Sequence, residues 1–437
     1  MKHRLLLGAM AACLSTPLHA DAQQDIRQLK EQLQAIQKNY QQQIEVLQNR
    51  IAALEEQKPE PAPAKPVMEQ ARANAFNPAI ALTLNARYQT FNKDRGDAIP
   101  GFSMGEEAGW GDQGFSLGES ELNFQTSIDD LFYGSLTMSL ADEGGETSVE
   151  LEEAWIQTLA LPSELTLKAG RFFSGIAYMN ERHSHTDDFA DRPLPYRAML
   201  NNAYLDDGIQ LRWLAPTDTF IEIGGELLRG DHYPAGGAAH NGQGSWSLFA
   251  HAGGDVGVSN SWLAGLSYLS AETRERESGD EDNPDLFTGE SNMVVADLVW
   301  KWAPQGNPYR HNAVLQGGLF WRDESGDFAP SGSDWLSYDG YQFGWYAQVA
   351  YKFMPGWRVG MRASGLDADD PGPAFAGSSL DTQGHNPWET SFMVDWSHSE
   401  FSRLRLQYTH DESQSLSDDR FILQYIVSLG AHGAHQF

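Results

Sequence analysis

The 437-residue chain has one cysteine, half as many basic as acidic residues, and no apolar run long enough for a spanning helix. The cysteine, Cys13, lies in an opening stretch where Lys2 and Arg4 precede an apolar run from Leu5 to Leu14, then Pro17 and a small-residue cleavage site after Ala20. That pattern predicts an export signal over residues 1–20. A lipobox around Met10-Ala11-Ala12-Cys13 is the competing reading. With the signal removed no thiol remains, which excludes a disulfide framework and any thiolate metal site. Thirty Lys and Arg against 60 Asp and Glu, a formal charge of -30, exclude the basic footprint that nucleic-acid binding requires. A helical membrane protein is excluded too, because each span needs about 20 consecutive apolar residues.

What is present changes character along the chain. Ile26, Leu29, Leu33, Ile36 and Tyr40, then Ile44, Leu47, Ile51 and Leu54, form a heptad seam with one stutter between Tyr40 and Ile44. The other positions are mostly Gln, Glu, Lys and Arg, so the spacing predicts a coiled coil over 21–57 that needs partner helices. An amphipathic helix lying on a membrane or on its own barrel is the alternative. Residues 58–76, opening with KPEPAPAKP, read as a semi-rigid linker.

From Asn77 to Phe437 the period is two. In YQFGWYAQVAYKF, Tyr341, Phe343, Trp345, Ala347, Val349, Tyr351 and Phe353 alternate with polar or small residues such as Gln342, Gly344, Gln348 and Lys352. Trp357, Val359 and Met361 repeat the scheme against Arg358, Gly360 and Arg362 after a tight Met354-Pro355-Gly356 turn. About sixteen such runs are present, each near the ~9–11 residues that carry a tilted strand across a bilayer. The connections alternate in length. Asp129-Asp130, Leu161 to Glu164, Pro216-Thr217, Ser259-Asn260, Pro355-Gly356 and Ser399-Glu400 are tight. Asn92 to Gln113, Gly175 to Asn202, Gly230 to Gly244, Ala271 to Ser291, Gly326 to Asp339 and Ala368 to Pro387 are long. A soluble sandwich has no reason to sort its loops by parity, whereas a transmembrane barrel has short turns on one side and long loops on the other. The fold class expected is therefore an all-β transmembrane barrel of antiparallel strands, with lipid covering the oily face of the last strand, QYIVSLGAHGAHQF.

A signal, a coiled coil, a Pro-rich spacer, a strand-rich barrel and the terminal Phe437 together resemble trimeric Gram-negative porins, particularly the phosphate-selective and carbohydrate types. FNPAIALTLNARYQTF, LTLKAGRFFSG and SLGAHGAHQF are also similar to proteobacterial barrels loosely labelled outer-membrane receptors, some TonB-dependent or associated with zinc. The resemblance implies a homotrimer in lipid and lipopolysaccharide, barrel-insertion machinery that reads Phe437, and a periplasmic coiled coil reaching toward peptidoglycan. TonB-dependent receptors carry a plug inside a ~22-stranded barrel, and the segment before this barrel is too short for one.

Alternation assigns an inward set: Arg87, Lys168, Arg212, Lys301, Lys352, Arg358, Arg362, Arg403 and Arg405, with Glu121, Glu222, Glu226, Asp297 and Asp395 opposing them. A basic ladder through Arg358, Arg362, Arg403 and Arg405 would favour anions. Alternatively the inward Arg and Glu pair and merely stiffen the wall. The third outside loop, Gly175 to Asn202, is the longest, and by the porin resemblance it forms the constriction. Its charged groups are Glu181, Arg182, Asp187, Asp188, Asp191, Arg192 and Arg197, with His183 and His185 beside them. Imidazole with carboxylate suits zinc; a solvated pair of histidines is the plainer reading, and the same holds for His432 and His435. The acidic outer loops, such as Glu272 through Glu290, read as solubilising. No GxSxG stands at a strand-to-helix elbow, and there is no HExxH or phosphate loop. A passive channel without enzymatic chemistry or cofactor is the functional expectation. A receptor or metal-uptake component, and a barrel that merely anchors the coiled coil, are the rivals.

Overall fold

Alternating β-branched, aromatic and polar residues favour the pleated sheet, and a sheet with one oily face needs a second apolar phase to cover it. The computed structural model describes residues 78–92, 98–105, 108–111, 113–143, 146–236, 243–280 and 282–430. The expected signal, coiled coil and linker, and His432, His435 and Phe437, lie outside the described residues.

The strands are β1 (Ala79–Thr90), β2 (Gly114–Ser116), β3 (Ser120–Ser127), β4 (Phe132–Glu143), β5 (Glu146–Thr158), β6 (Leu165–Phe173), β7 (Leu205–Leu214), β8 (Phe220–Leu228) and β9 (Ser245–Val256). They continue as β10 (Asn260–Ser278), β11 (Asp285–Trp302), β12 (Asn312–Ala329), β13 (Leu336–Met354), β14 (Trp357–Ala368), β15 (Trp388–Ser399), β16 (Ser402–Glu412) and β17 (Asp418–Gly430). β2 and β3 both pair with the same edge of β1, Arg87 opposite Ser116 and Thr83 opposite Glu121, so they are two pieces of one wall strand broken at 117–119. Every later strand pairs with its sequence neighbour, and β17 returns to β1 from Ala81–Gly430 to Thr90–Phe421. The result is a closed sixteen-stranded antiparallel barrel with no free edge.

The faces sort as the alternation predicts. On β13, Tyr341, Trp345, Val349 and Tyr351 stand exposed, while Gln342, Tyr346 and Gln348 are buried inside. The same belt runs around the wall through Leu211, Leu266, Leu298, Leu319, Met361, Leu406 and Leu423. So large an exposed apolar surface is unfavourable in water and suits hydrocarbon.

Three details differ from the sequence reading. Residues 303–311 form an unanticipated turn between β11 and β12, and the pairing of β4 with β5 runs as far as Glu143 opposite Glu146. Most of Ala271 to Ser291 and of Gly326 to Asp339 is not loop but paired strand. β10 to β13 run 18 or 19 residues each, beyond the ~9–11 that cross a bilayer, because their backbones satisfy one another past the membrane. The third detail is a bulge. Thr137 pairs with Glu153 and Met138 with Leu151, so Glu152 is the extra residue, and both Glu152 and Glu153 are buried within the barrel.

Candidate permeation site

The long third loop, residues 174–204 between β6 and β7, folds into the lumen instead of standing outside it. Asn180 fastens its two stems together: its side-chain amide donates to the Ser174 and Tyr204 carbonyls at 2.8 Å each and its carbonyl accepts from the Tyr204 N–H at 2.6 Å. Arg192 closes the next turn, donating to the Asp187 carboxylate at 3.1 Å, to the Asn202 carbonyl at 2.7 Å and to the Arg182 carbonyl. Pro193 and Pro195 start a helix of about two turns, α1 (Leu194–Leu200), which ends at Asn201 in the left-handed region. All seven of its residues are buried. Tyr196 packs edge-on against Phe320 and Tyr346, with centroids 5.1 and 5.7 Å away, so a small apolar core sits inside the barrel.

The expected basic ladder meets this loop. Arg358 binds Asp188 of the loop and Asp395 of β15, each at 2.6 Å. Arg362 donates to Asp191 at 2.6 Å and to Glu389 at 3.2 Å. Arg403 and Arg405 donate to the loop carbonyls of His185 and Asp187 at 2.5 and 2.8 Å. Arg420, which the sequence reading missed, completes the pair of cations on Asp191. Burial alone would raise the Asp188 and Asp191 carboxyls, but Arg358 and Arg405 in the first case, and Arg420 and Arg362 in the second, outweigh it and hold both below the usual range. Asp187 goes the other way: burial raises it despite Arg192. Burial lowers Arg197, although Glu389 opposes the shift. The ladder therefore clamps the docked loop, Arg358 and Arg362 through its carboxylates and Arg403 and Arg405 through its carbonyls. Arg87 and Lys352 also face inward and are half-buried.

On the opposite side the loop stands off the wall and leaves a cavity of about 720 Å³. Its carboxylates are Glu121, Glu153, Glu181, Glu222, Asp255 and Asp297, against the guanidiniums of Arg182 and Arg212. Arg212 is shared by Glu222, at 3.1 Å, and Glu181. Asp297 lies across from Gly265, where any Cβ would come within 2.6 Å of its carboxylate oxygen. Lys168 stacks over Trp155 at 4.7 Å, and Lys301 is half-buried. Glu226, expected to line the pore, instead anchors the loop: its carboxylate accepts from the Ser174 and Ser247 hydroxyls at 2.5 Å each, the Gly175 N–H at 2.8 Å and the Gln210 amide at 2.6 Å.

His183 and His185 are not a solvated pair. His185 is buried with Nδ1 2.7 Å from Glu121, and His183 lies among Glu121, Glu152 and Glu153. Burial disfavours the His183 imidazolium, but Glu121 and Glu152 outweigh it and raise its pKa well above the ordinary value. The sequence carries a signal for this cluster, since the two-residue alternation slips near Glu153, as it does near Arg171. Two GxSxG spacings, Gly101 to Gly105 and Gly114 to Gly118, lie in the first loop and the adjoining wall strand. Neither opens an α-helix among the described residues, and Ser103 accepts from Arg276 at 3.1 Å.

No protein-family model matches the chain. An uncharacterized protein of Aquifex aeolicus (strain VF5) is 28% identical over 359 residues, 74% of this chain and 70% of that one. Among solved structures, the outer membrane channel DcaP of Acinetobacter baumannii is similar with a TM-score of 0.53 and 12% identity, covering 81% of this chain and 96% of that one. An anion-selective porin from Comamonas acidovorans and the trimer form of OmpT from Vibrio cholerae each have a TM-score of 0.48 and 10% identity, covering 81% of this chain and 99% of theirs. The chain has the closed sixteen-stranded barrel fold of the outer-membrane porins.

Proposed function

We propose that the chain is a passive outer-membrane channel for small hydrophilic solutes, assembled as a trimer, with its constriction between the third loop and the wall from β3 to β11. The observation that carries this reading is the docked third loop, which divides the lumen into a clamped basic side and an open acidic side. Flux through such a passage needs a gradient and no covalent step, so the reading is a channel rather than an enzyme. Its wall charge is read as favouring cations, since six carboxylates line the cavity against the two guanidiniums of Arg182 and Arg212. This reading departs from the anion preference expected from the ladder. The DcaP likeness supports the barrel as a channel scaffold. Planar-bilayer recording is the test: steady open steps fit a channel, and a silent membrane with correctly folded protein fits a receptor or a tether.

A further inference from the structure

We infer that Glu121, Glu152 and His183 form a site for one divalent metal ion of the borderline class, such as Zn²⁺, at the edge of the constriction. The three donor atoms lie within 4.8 Å of one another. His183 Nδ1 is 3.1 Å from Glu121 Oε2 and 3.5 Å from Glu152 Oε2. Tetrahedral ligands at about 2.0–2.1 Å from zinc stand about 3.3 Å apart, so His183 Nδ1 already stands near that separation from each of the two carboxylate oxygens.

The second observation concerns unmet polarity. Glu152, 8% exposed, buries its Oε2 without a hydrogen bond, and the nearest polar atom facing it is His183 Nδ1 at 3.5 Å, which stands closer to Glu121 Oε2, at 3.1 Å. A buried carboxylate oxygen without a donor is costly, and a cation between these atoms satisfies both. The β5 bulge puts Glu152 there. In regular alternation Glu152 and Glu153 would point to opposite faces, one of them into the apolar belt.

The surroundings have the form of a supporting shell. The second nitrogen of His183, Nε2, lies 3.1 Å from Glu153, and the second oxygen of Glu121 lies 2.7 Å from His185 Nδ1. Imidazole ligands commonly give their other N–H to a carboxylate, and ligating carboxylates are themselves hydrogen-bonded. His185 is thus a positioning residue rather than a ligand. Glu121 and His183 also line the open cavity, which leaves a fourth position for water or a permeating ligand. One imidazole among carboxylates selects Zn²⁺ or Co²⁺ over Mg²⁺.

The site is tested on the full-length barrel folded in detergent and stripped of metal, so the result does not depend on conduction. Zn²⁺ competition against a chromophoric chelator should show one equivalent bound. Glu152→Gln and His183→Asn should each weaken it about a hundredfold, and Glu153→Gln about tenfold, the range for a supporting group. Co²⁺ should give the intense visible bands of a tetrahedral centre in the parent and lose them in Glu152→Gln. Folding of each variant is checked by the heat-dependent gel shift of barrels; if His183→Asn fails it, the near-isosteric Glu152→Gln carries the test. Zn²⁺ affinity equal in parent and Glu152→Gln, Mg²⁺ binding as tight as Zn²⁺, or no bound equivalent in the parent would each overturn the site.

Discussion

The Arg362 guanidinium of β14 donates to the Asp191 carboxylate of the third loop at 2.6 Å, with Arg362 fully buried. This pair ties the middle of the loop to the inner wall. Removing one partner from a buried pair costs about 3–5 kcal/mol. Arg362→Ala should therefore lower the unfolding free energy by about that amount and release the loop, raising single-channel conductance and current noise together. A shift of reversal potential toward cations at unchanged conductance would instead mean that the guanidinium reads solutes.

Acid tests the same clamp. Asp188 and Asp191 are held below the ordinary carboxyl pKa, so their contribution is fully present above about pH 3.9, the unfolded value. It is lost only as pH falls through their lower folded values. Conductance should hold constant as far as these two pairs govern it from pH 7 to about pH 5, and the loop should loosen below about pH 4. Opening between pH 6 and 5 would contradict the depressed carboxyls.

Asn180 should matter more than its size suggests. Replacing it with Ala removes the donor to the Ser174 carbonyl and the acceptor of the Tyr204 N–H, while the Tyr204 carbonyl keeps the Ser174 N–H at 3.0 Å, at about 1–3 kcal/mol for each unsatisfied group. Limited proteolysis should then cut between residues 180 and 204 in the variant and not in the parent.

The outward face gives an independent check. Leu319 lies in the apolar belt of β12 at 42% exposure. Leu319→Arg should destabilise the barrel in lipid by about 2–4 kcal/mol if it sits near the midplane of hydrocarbon. The same change in a chain folded in water would be close to neutral, and equilibrium denaturation in vesicles separates the two.

Much of this architecture is legible in the sequence because two solvents impose two faces. The alternation of Tyr341, Trp345 and Val349 with Gln342 and Gln348 identifies wall residues, and loop length by parity locates the third loop. The lumen is harder to read. Arg358 and Arg362 are correctly placed inward by alternation, yet their partners Asp188 and Asp191 lie about 170 residues away in the chain, and no local period encodes such pairing. Glu226 has the pattern of a pore-lining residue and serves as an anchor because Ser174 and Gly175 happen to return to it. The Glu152-Glu153 bulge breaks the period itself, so a rule based on alternation loses track of the residues that bring His183 into a site.

Reversal potential in a salt gradient across a planar bilayer tests the central claim most directly. A channel passing between the acidic wall and the docked loop should be cation-selective, and Glu222→Gln, which removes a carboxylate from the cavity, should reduce that selectivity. Anion selectivity in the parent protein, unchanged by Glu222→Gln, would contradict the proposed passage.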